Sequence, residues 1–123
     1  DAGSRETCLA RRGATNTPLQ ALVLLNDPVF VECARELARR VSTERATTTE
    51  RVELVFRRLA SRAPRDAELA TLIELHARET ARFRGDEAAC KLLLASERAE
   101  PELAALVLTA STLLAADATV VLR

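Results

Sequence analysis

Few side chains in this sequence could do chemistry, and they stand far apart. Histidine occurs once, at His76, and cysteine three times, at Cys8, Cys33 and Cys90. Structural zinc sites draw ligand pairs from short spacings such as C-x-x-C, and no such pair exists here. Covalent c-type haem needs C-x-x-C-H, which is also absent. A histidine working as a general base needs a nucleophile, carboxylate or metal partner, and local spacing sets none beside His76. With three glycines in all, there is little backbone for a phosphate-cradling loop, and no G-x-S-x-G nucleophile elbow occurs. Asp66 with Glu68, and Glu100 with Glu102, pair carboxylates at helix starts. The helix dipole accounts for them there without acid–base work. These residues predict no catalytic group, no cofactor and no metal in the chain, and therefore not an enzyme.

The densest polar cluster is Arg11-Arg12-Gly13-Ala14-Thr15-Asn16-Thr17-Pro18-Leu19-Gln20. It reads either as a loop pinned to a helix N-terminus or as a docking surface. In the second case Arg11 and Arg12 pair with acids of a partner domain, and Asn16 with the open helix end holds an anion or carboxylate. Arg11, Arg12, Asn16, Gln20 and Asn26 are the candidate docking residues.

Helices must position these groups. Residues 1–16 read as an irregular lead-in and residues 17–123 as one helical domain, the C-terminal part of a larger protein's domain. Thr17-Pro18 with Gln20 spells an N-cap, a first-turn proline and the far half of a capping box. The short helix Pro18–Leu25 that follows is apolar nearly all round, so it is expected to be buried. Asn26-Asp27-Pro28 stops it and starts a second helix. That helix has a stripe of Val29, Cys33, Leu37 and Val41 flanked by Phe30, Ala34 and Ala38, with Arg35, Glu36, Arg39 and Arg40 on the wet side.

Thr47 and Glu50 form a capping box for a third helix, which carries Val52, Val55, Phe56 and Leu59 and ends at Ala63-Pro64. The fourth begins near Asp66, carries Leu69, Leu72, Ile73, His76, Thr80 and Phe83, and ends at Gly85. Asp86 caps a fifth through Ala89, Leu92 and Leu93. Glu100-Pro101 opens a sixth with Leu103, Leu106, Val107, Ala110, Leu113 and Leu114 inward, and the β-branched tail from Thr119 to Leu122 is expected to be extended or frayed. No polar–apolar alternation is long enough for a sheet. The fold class is all-α, a compact array of about six short-to-medium helices.

Composition agrees. Of 123 residues, 48% are apolar and 29% charged, which suits one globular domain and not a disordered chain. Only 2% are aromatic, all Phe. Ala and Leu must fill the core, and no Trp or Tyr is present for stacking on bases or sugars. The 18 basic and 18 acidic residues cancel, which argues against nucleic acid as a partner. Their interleaving fits solvated helix faces with i,i+4 pairs. Apolar runs such as Ala21 to Leu25 are far too short to span a bilayer. There is no Met, and the chain opens on polar Asp1, so it reads as a processed or excised part of a longer protein. Its oligomeric state does not follow from composition.

The stretch from Asp1 to Cys8, Arg11-Arg12, and the run from Thr15 to Glu32 with T-N-T-P-L-Q-A-L and L-N-D-P carry a specific resemblance. They resemble a conserved-domain family of unknown function that forms the C-terminal region of planctomycete cytochrome-c-type multidomain proteins. Phe56-Arg57-Arg58-Leu59, Pro64, Glu68-Leu69 and Ala110-Ser111-Thr112-Leu113-Leu114 are similar as well, so the resemblance runs over nearly the whole chain. At the end the chain departs from it. Ala115-Ala116-Asp117-Ala118 replaces an Asn and an Asp-Glu pair, and no Trp precedes it.

The resemblance implies a large, exported parent at the periplasm or cell surface, with haem only in upstream domains. It assigns no catalytic residue. Export would place the cysteines in an oxidising setting, where Cys8 could pair. The expected role is a non-catalytic interaction or scaffold segment whose partners are the other domains of its parent, with Pro18–Leu25 as the best apolar patch for contact. Two alternatives stand beside it. One is a segment that completes a redox or hydrolytic site of the parent through His76, Arg12 or Asn16. The other is an anion-binding module built on Arg11, Arg12, Arg39 and Arg40.

Overall fold

The structure is a computed structural model that describes residues 28–120, with side chains to Ala116. Five α-helices follow in order: α1 (Pro28–Glu44), α2 (Thr48–Ala60), α3 (Asp66–Arg84), α4 (Glu87–Leu94) and α5 (Pro101–Val120). No strand occurs among the described residues. The fold is all-α, and these five match the last five of the six helices expected. The Pro18–Leu25 helix lies outside the described residues.

Local chemistry explains the starts. Thr47 Oγ1 accepts from the Glu50 N–H at 3.2 Å, and Glu50 Oε1 accepts from the Thr47 N–H at 3.3 Å, so the capping box of α2 is complete. At α3 half a box forms, with Glu68 Oε1 accepting from the Arg65 N–H at 2.8 Å. Arg65 has no acceptor atom and cannot supply the other half. Asp86 Oδ1 takes the Ala89 N–H at 3.1 Å and caps α4. The Glu100 carbonyl accepts the first helical bond of α5, from the Ala104 N–H at 2.9 Å. Pro101 occupies the first helical position, where its missing N–H costs nothing.

The ends are less regular. α2 stops at Ala60, before the expected Ala63-Pro64, because Ser61 turns left-handed at φ 61° and its N–H bonds back to the Arg57 carbonyl. Ala95 does the same after α4 at φ 52°. α5 runs through Val120, so residues 119 and 120 are helical and the expected extended tail does not begin at Thr119. Nothing in their β-branching prevents this, because propensity is a small term beside the packing of the helix they continue.

α5 is the centre of the array and packs against each of the other four helices. Ala104, Ala105, Leu106, Val107, Thr109, Ala110 and Leu114 are all buried. A helix apolar nearly all round has to be enclosed, and its three buried alanines, Ala104, Ala105 and Ala110, let neighbours approach closely. Thr109, fully buried, satisfies its hydroxyl by donating to the Ala105 carbonyl at 2.9 Å. Around it, α1 contributes Phe30, Ala34, Ala38 and Val41, α2 contributes Val52, Val55, Phe56 and Leu59, and α3 contributes Leu72 and Phe83.

Two expected inward residues point outward. Val29 is 40% exposed and Leu92 is 81% exposed. On α4 the buried pair is Cys90 with Leu94. They stand four residues apart, so they share the face turned to the core and put Leu92 on the opposite side.

Candidate functional site

His76 sits at the contact between α3 and the first turn of α5. It is 5% exposed. Its Nε2 lies 3.1 Å from the carbonyl oxygen of Glu102. A carbonyl oxygen only accepts, so Nε2 carries the proton and donates. Nδ1 lies 3.4 Å from Thr80 Oγ1, while the Thr80 hydroxyl gives its proton to the His76 carbonyl at 2.7 Å. Burial pushes the imidazole below its usual pKa; the Glu102 carbonyl and carboxylate act the other way, and Arg51 adds to the lowering. At neutral pH the ring is uncharged, fastened through Nε2 to Glu102, with Nδ1 facing a hydroxyl oxygen whose proton is already given elsewhere.

Beside it lies a cleft of about 550 Å³ lined by Ser42, Arg51, Arg84, Glu100, Pro101, Glu102 and Leu103. Its cations are already engaged. Arg51 donates from Nε to the Arg45 carbonyl at 2.8 Å and from Nη2 to the Ser42 carbonyl at 3.1 Å, which closes the α1–α2 joint. Arg84 faces Glu102 at 3.8 Å. With Glu100 adding a second carboxylate, the cleft has no net positive charge to hold an anion.

The α1 arginines expected to be solvated or anion-binding are also committed. Arg35 Nε donates to the Leu93 carbonyl at 3.0 Å, and Arg39 Nη2 donates to the Leu94 carbonyl at 2.7 Å. Standing four residues apart on α1, they face one way and satisfy the last carbonyls of α4, where a positive charge also meets the helix dipole favourably. They are not simply wet-face residues. Arg40 pairs with Glu36 at 3.0 Å. The pattern i,i+4 of arginine on α1 was visible in the sequence, but its target 55 residues away was not.

Cys33 is disulfide-bonded, so its sulfur is not a thiolate ligand. Cys90 is free and buried, and Cys8 lies outside the described residues. Among the described residues no three His, Cys, Asp or Glu side chains come together to hold a metal ion. The docking candidates Arg11, Arg12, Asn16, Gln20 and Asn26 all lie outside the described residues, so the structure does not place them. No helix among the described residues is long and apolar enough to cross a membrane.

Residues 1–76 match the model of the PSD1 family, described as a protein of unknown function (DUF1553). The chain belongs to the PSD1 family. The matched range holds the T-N-T-P-L-Q-A-L and L-N-D-P runs, α1, α2 and α3 as far as His76, and it stops before α4 and α5. The similarity read at Ala110–Leu114 therefore falls outside it. No curated protein and no solved structure matches the chain. PSD1 membership carries no reaction with it, so what the chain does has to be argued from its own side chains.

Proposed function

We propose that this PSD1 chain is a non-catalytic helical interaction segment of a larger, exported, cytochrome-c-associated protein, and that it packs against other domains of that parent. The observation that carries the reading is the commitment of His76, Arg35 and Arg39, among the described residues, to internal bonds. The only histidine donates to the Glu102 carbonyl and is buried, the Thr80 hydroxyl donates to the His76 backbone carbonyl, and Arg35 and Arg39 cap α4. Side chains held this way fasten the helices to one another. The disulfide at Cys33 supports export, because disulfides persist in oxidising compartments and are rare in the cytosol.

The test is the reading frame on either side of this segment. An export signal and a C-x-x-C-H haem motif in the same frame are expected. A start codon immediately before Asp1 with neither feature would overturn the multidomain reading. A role in completing a site of the parent is tested separately by His76→Ala and Asn16→Ala in the full-length protein. Loss of parental activity with the fold intact would replace the non-catalytic reading.

A further inference from the structure

We propose that His76 is an acid-sensitive latch: uptake of a second proton at Nδ1 loosens the hold of α3 on the first turn of α5. The geometry makes the neutral ring a fastener. Nε2–H is given to the Glu102 carbonyl across the helix contact, and that carbonyl belongs to the first turn of the helix that every other helix packs against. Nδ1 meets only the Thr80 hydroxyl, whose proton already goes to the His76 carbonyl.

A proton from solvent on Nδ1 would place a full charge where three features oppose it. The ring is 5% exposed, and a charge taken out of water is costly unless paired. It stands at the N-terminus of a 20-residue helix, the positive end of the macrodipole. From α2, the Arg51 guanidinium adds like charge.

The groups that could compensate are weak. The Glu102 carboxylate on α5 is 58% exposed and already faces Arg84 of α3. Glu100, just before α5, lines the outer cleft and is itself exposed. From α1 the cleft receives only Ser42, which is uncharged. The charged ring gains most by reaching water, and the open cleft that shares Glu102 with it, bounded by Glu100, Pro101 and Leu103, offers a route. Moving there breaks the bond to Glu102 and frees the first turn of α5.

Two measurements on the 123-residue chain decide the matter. The ring signal of His76, the only histidine, is titrated by NMR. Amide exchange of residues 104–107, corrected for its intrinsic pH dependence, is followed over the same range. The ring is expected to titrate below the ordinary value of about 6.5, and protection of those amides should fall at least tenfold along the same curve. In His76→Gln, whose side-chain amide can still donate to Glu102 but does not titrate, the fall should disappear. Protection that stays constant through the ring's titration overturns the latch, and so does an equal fall in His76→Gln. Should the variant not fold, the wild-type pair of curves still gives the answer.

Discussion

Arg39 Nη2 donates to the carbonyl oxygen of Leu94 at 2.7 Å, across 55 residues of sequence, and Arg35 does the same to Leu93 one helical turn earlier on α1. α4 has only eight residues, too few to persist alone, so its last carbonyls depend on a partner helix. Arg39→Ala is expected to cost about 1–2 kcal/mol, since it removes a charged donor from a partly buried acceptor. Arg39→Lys should recover only part of this, because an ammonium on a different stem does not reproduce the guanidinium's reach. Urea denaturation checks both. A cost indistinguishable from zero for both Arg35→Ala and Arg39→Ala would show that these bonds are not formed in solution.

Glycine and the left-handed turns are mismatched in this chain. Ala95 has φ 52° and Ser61 has φ 61°, conformations that carry a penalty for residues with a Cβ. Gly85 closes α3 at φ −89°, which any residue adopts, and a Cβ there would lie 3.6 Å from the Arg82 carbonyl oxygen, an ordinary contact. Ala95→Gly is therefore expected to stabilise the protein by about 0.5–1 kcal/mol. Gly85→Ala should also stabilise it, by about 0.4–1 kcal/mol, through the unfolded chain. The paired outcome is what matters: opposite exchanges between Gly and Ala, both raising the denaturation midpoint.

How much of this was legible beforehand depended on the range of the interaction. The Thr47–Glu50 box, the Asp86 cap and the Glu100-Pro101 start are written in neighbouring residues, and the structure has all three. The inward set of α2, Val52 to Leu59, follows a clean helical repeat and is buried as expected. The facing of α4 was misread because two turns give Leu92 and Leu94 nearly equal claims, and only the position of α5 decides between them. His76 was readable as a structural histidine, but its bond to Glu102 spans 26 residues and follows from how α3 and α5 cross. The proposed docking residues between Arg11 and Asn26 remain a sequence reading, because the described residues begin at Pro28.

The centre of the array should be the least forgiving place to alter. Leu106 on α5 is 1% exposed and belongs to the main core cluster. Leu106→Ala is expected to destabilise by about 2–5 kcal/mol, the lost transfer energy plus a cavity that the surrounding helices cannot close. Leu92→Ala, at an 81% exposed position, should fall within about 0.5 kcal/mol of the parent. Equal costs for the two would mean that the facing of α4 or α5 is different in solution.

Cysteine oxidation gives a direct check on compartment. The chain has three cysteines; Cys33 is disulfide-bonded and Cys90 is free. Thiol titration of protein taken from its native compartment, denatured without reductant, should find the Cys90 thiol reactive and Cys33 blocked. In the folded protein that thiol should react far more slowly, since Cys90 is fully buried. Three thiols per chain would place the protein in a reducing compartment and remove the support that Cys33 gives to export.

Acid titration separates two surface carboxylates from the rest. Glu68 is held at about 2, first by its bond to the Arg62 guanidinium and then by the Arg65 N–H, and the Arg58 guanidinium holds Glu44 below the usual carboxylate range. Arg62 meets Glu68 through two bonds, at 3.0 and 2.9 Å. A carboxyl whose folded pKa is lowered stabilises the fold fully above its unfolded value, and that contribution fades as pH falls toward the folded value. For Glu68 the window runs from about 4.5 down to about 2. Both pairs lie at the surface, so salt should screen the effect. Arg62→Ala should raise the Glu68 titration midpoint toward 4.5 by carboxyl NMR, while the Arg65 N–H keeps it somewhat below. A midpoint that stays near 2 in Arg62→Ala would shift the cause to the Arg65 N–H at the start of α3, and an ordinary midpoint in the wild type would remove the ion pair altogether.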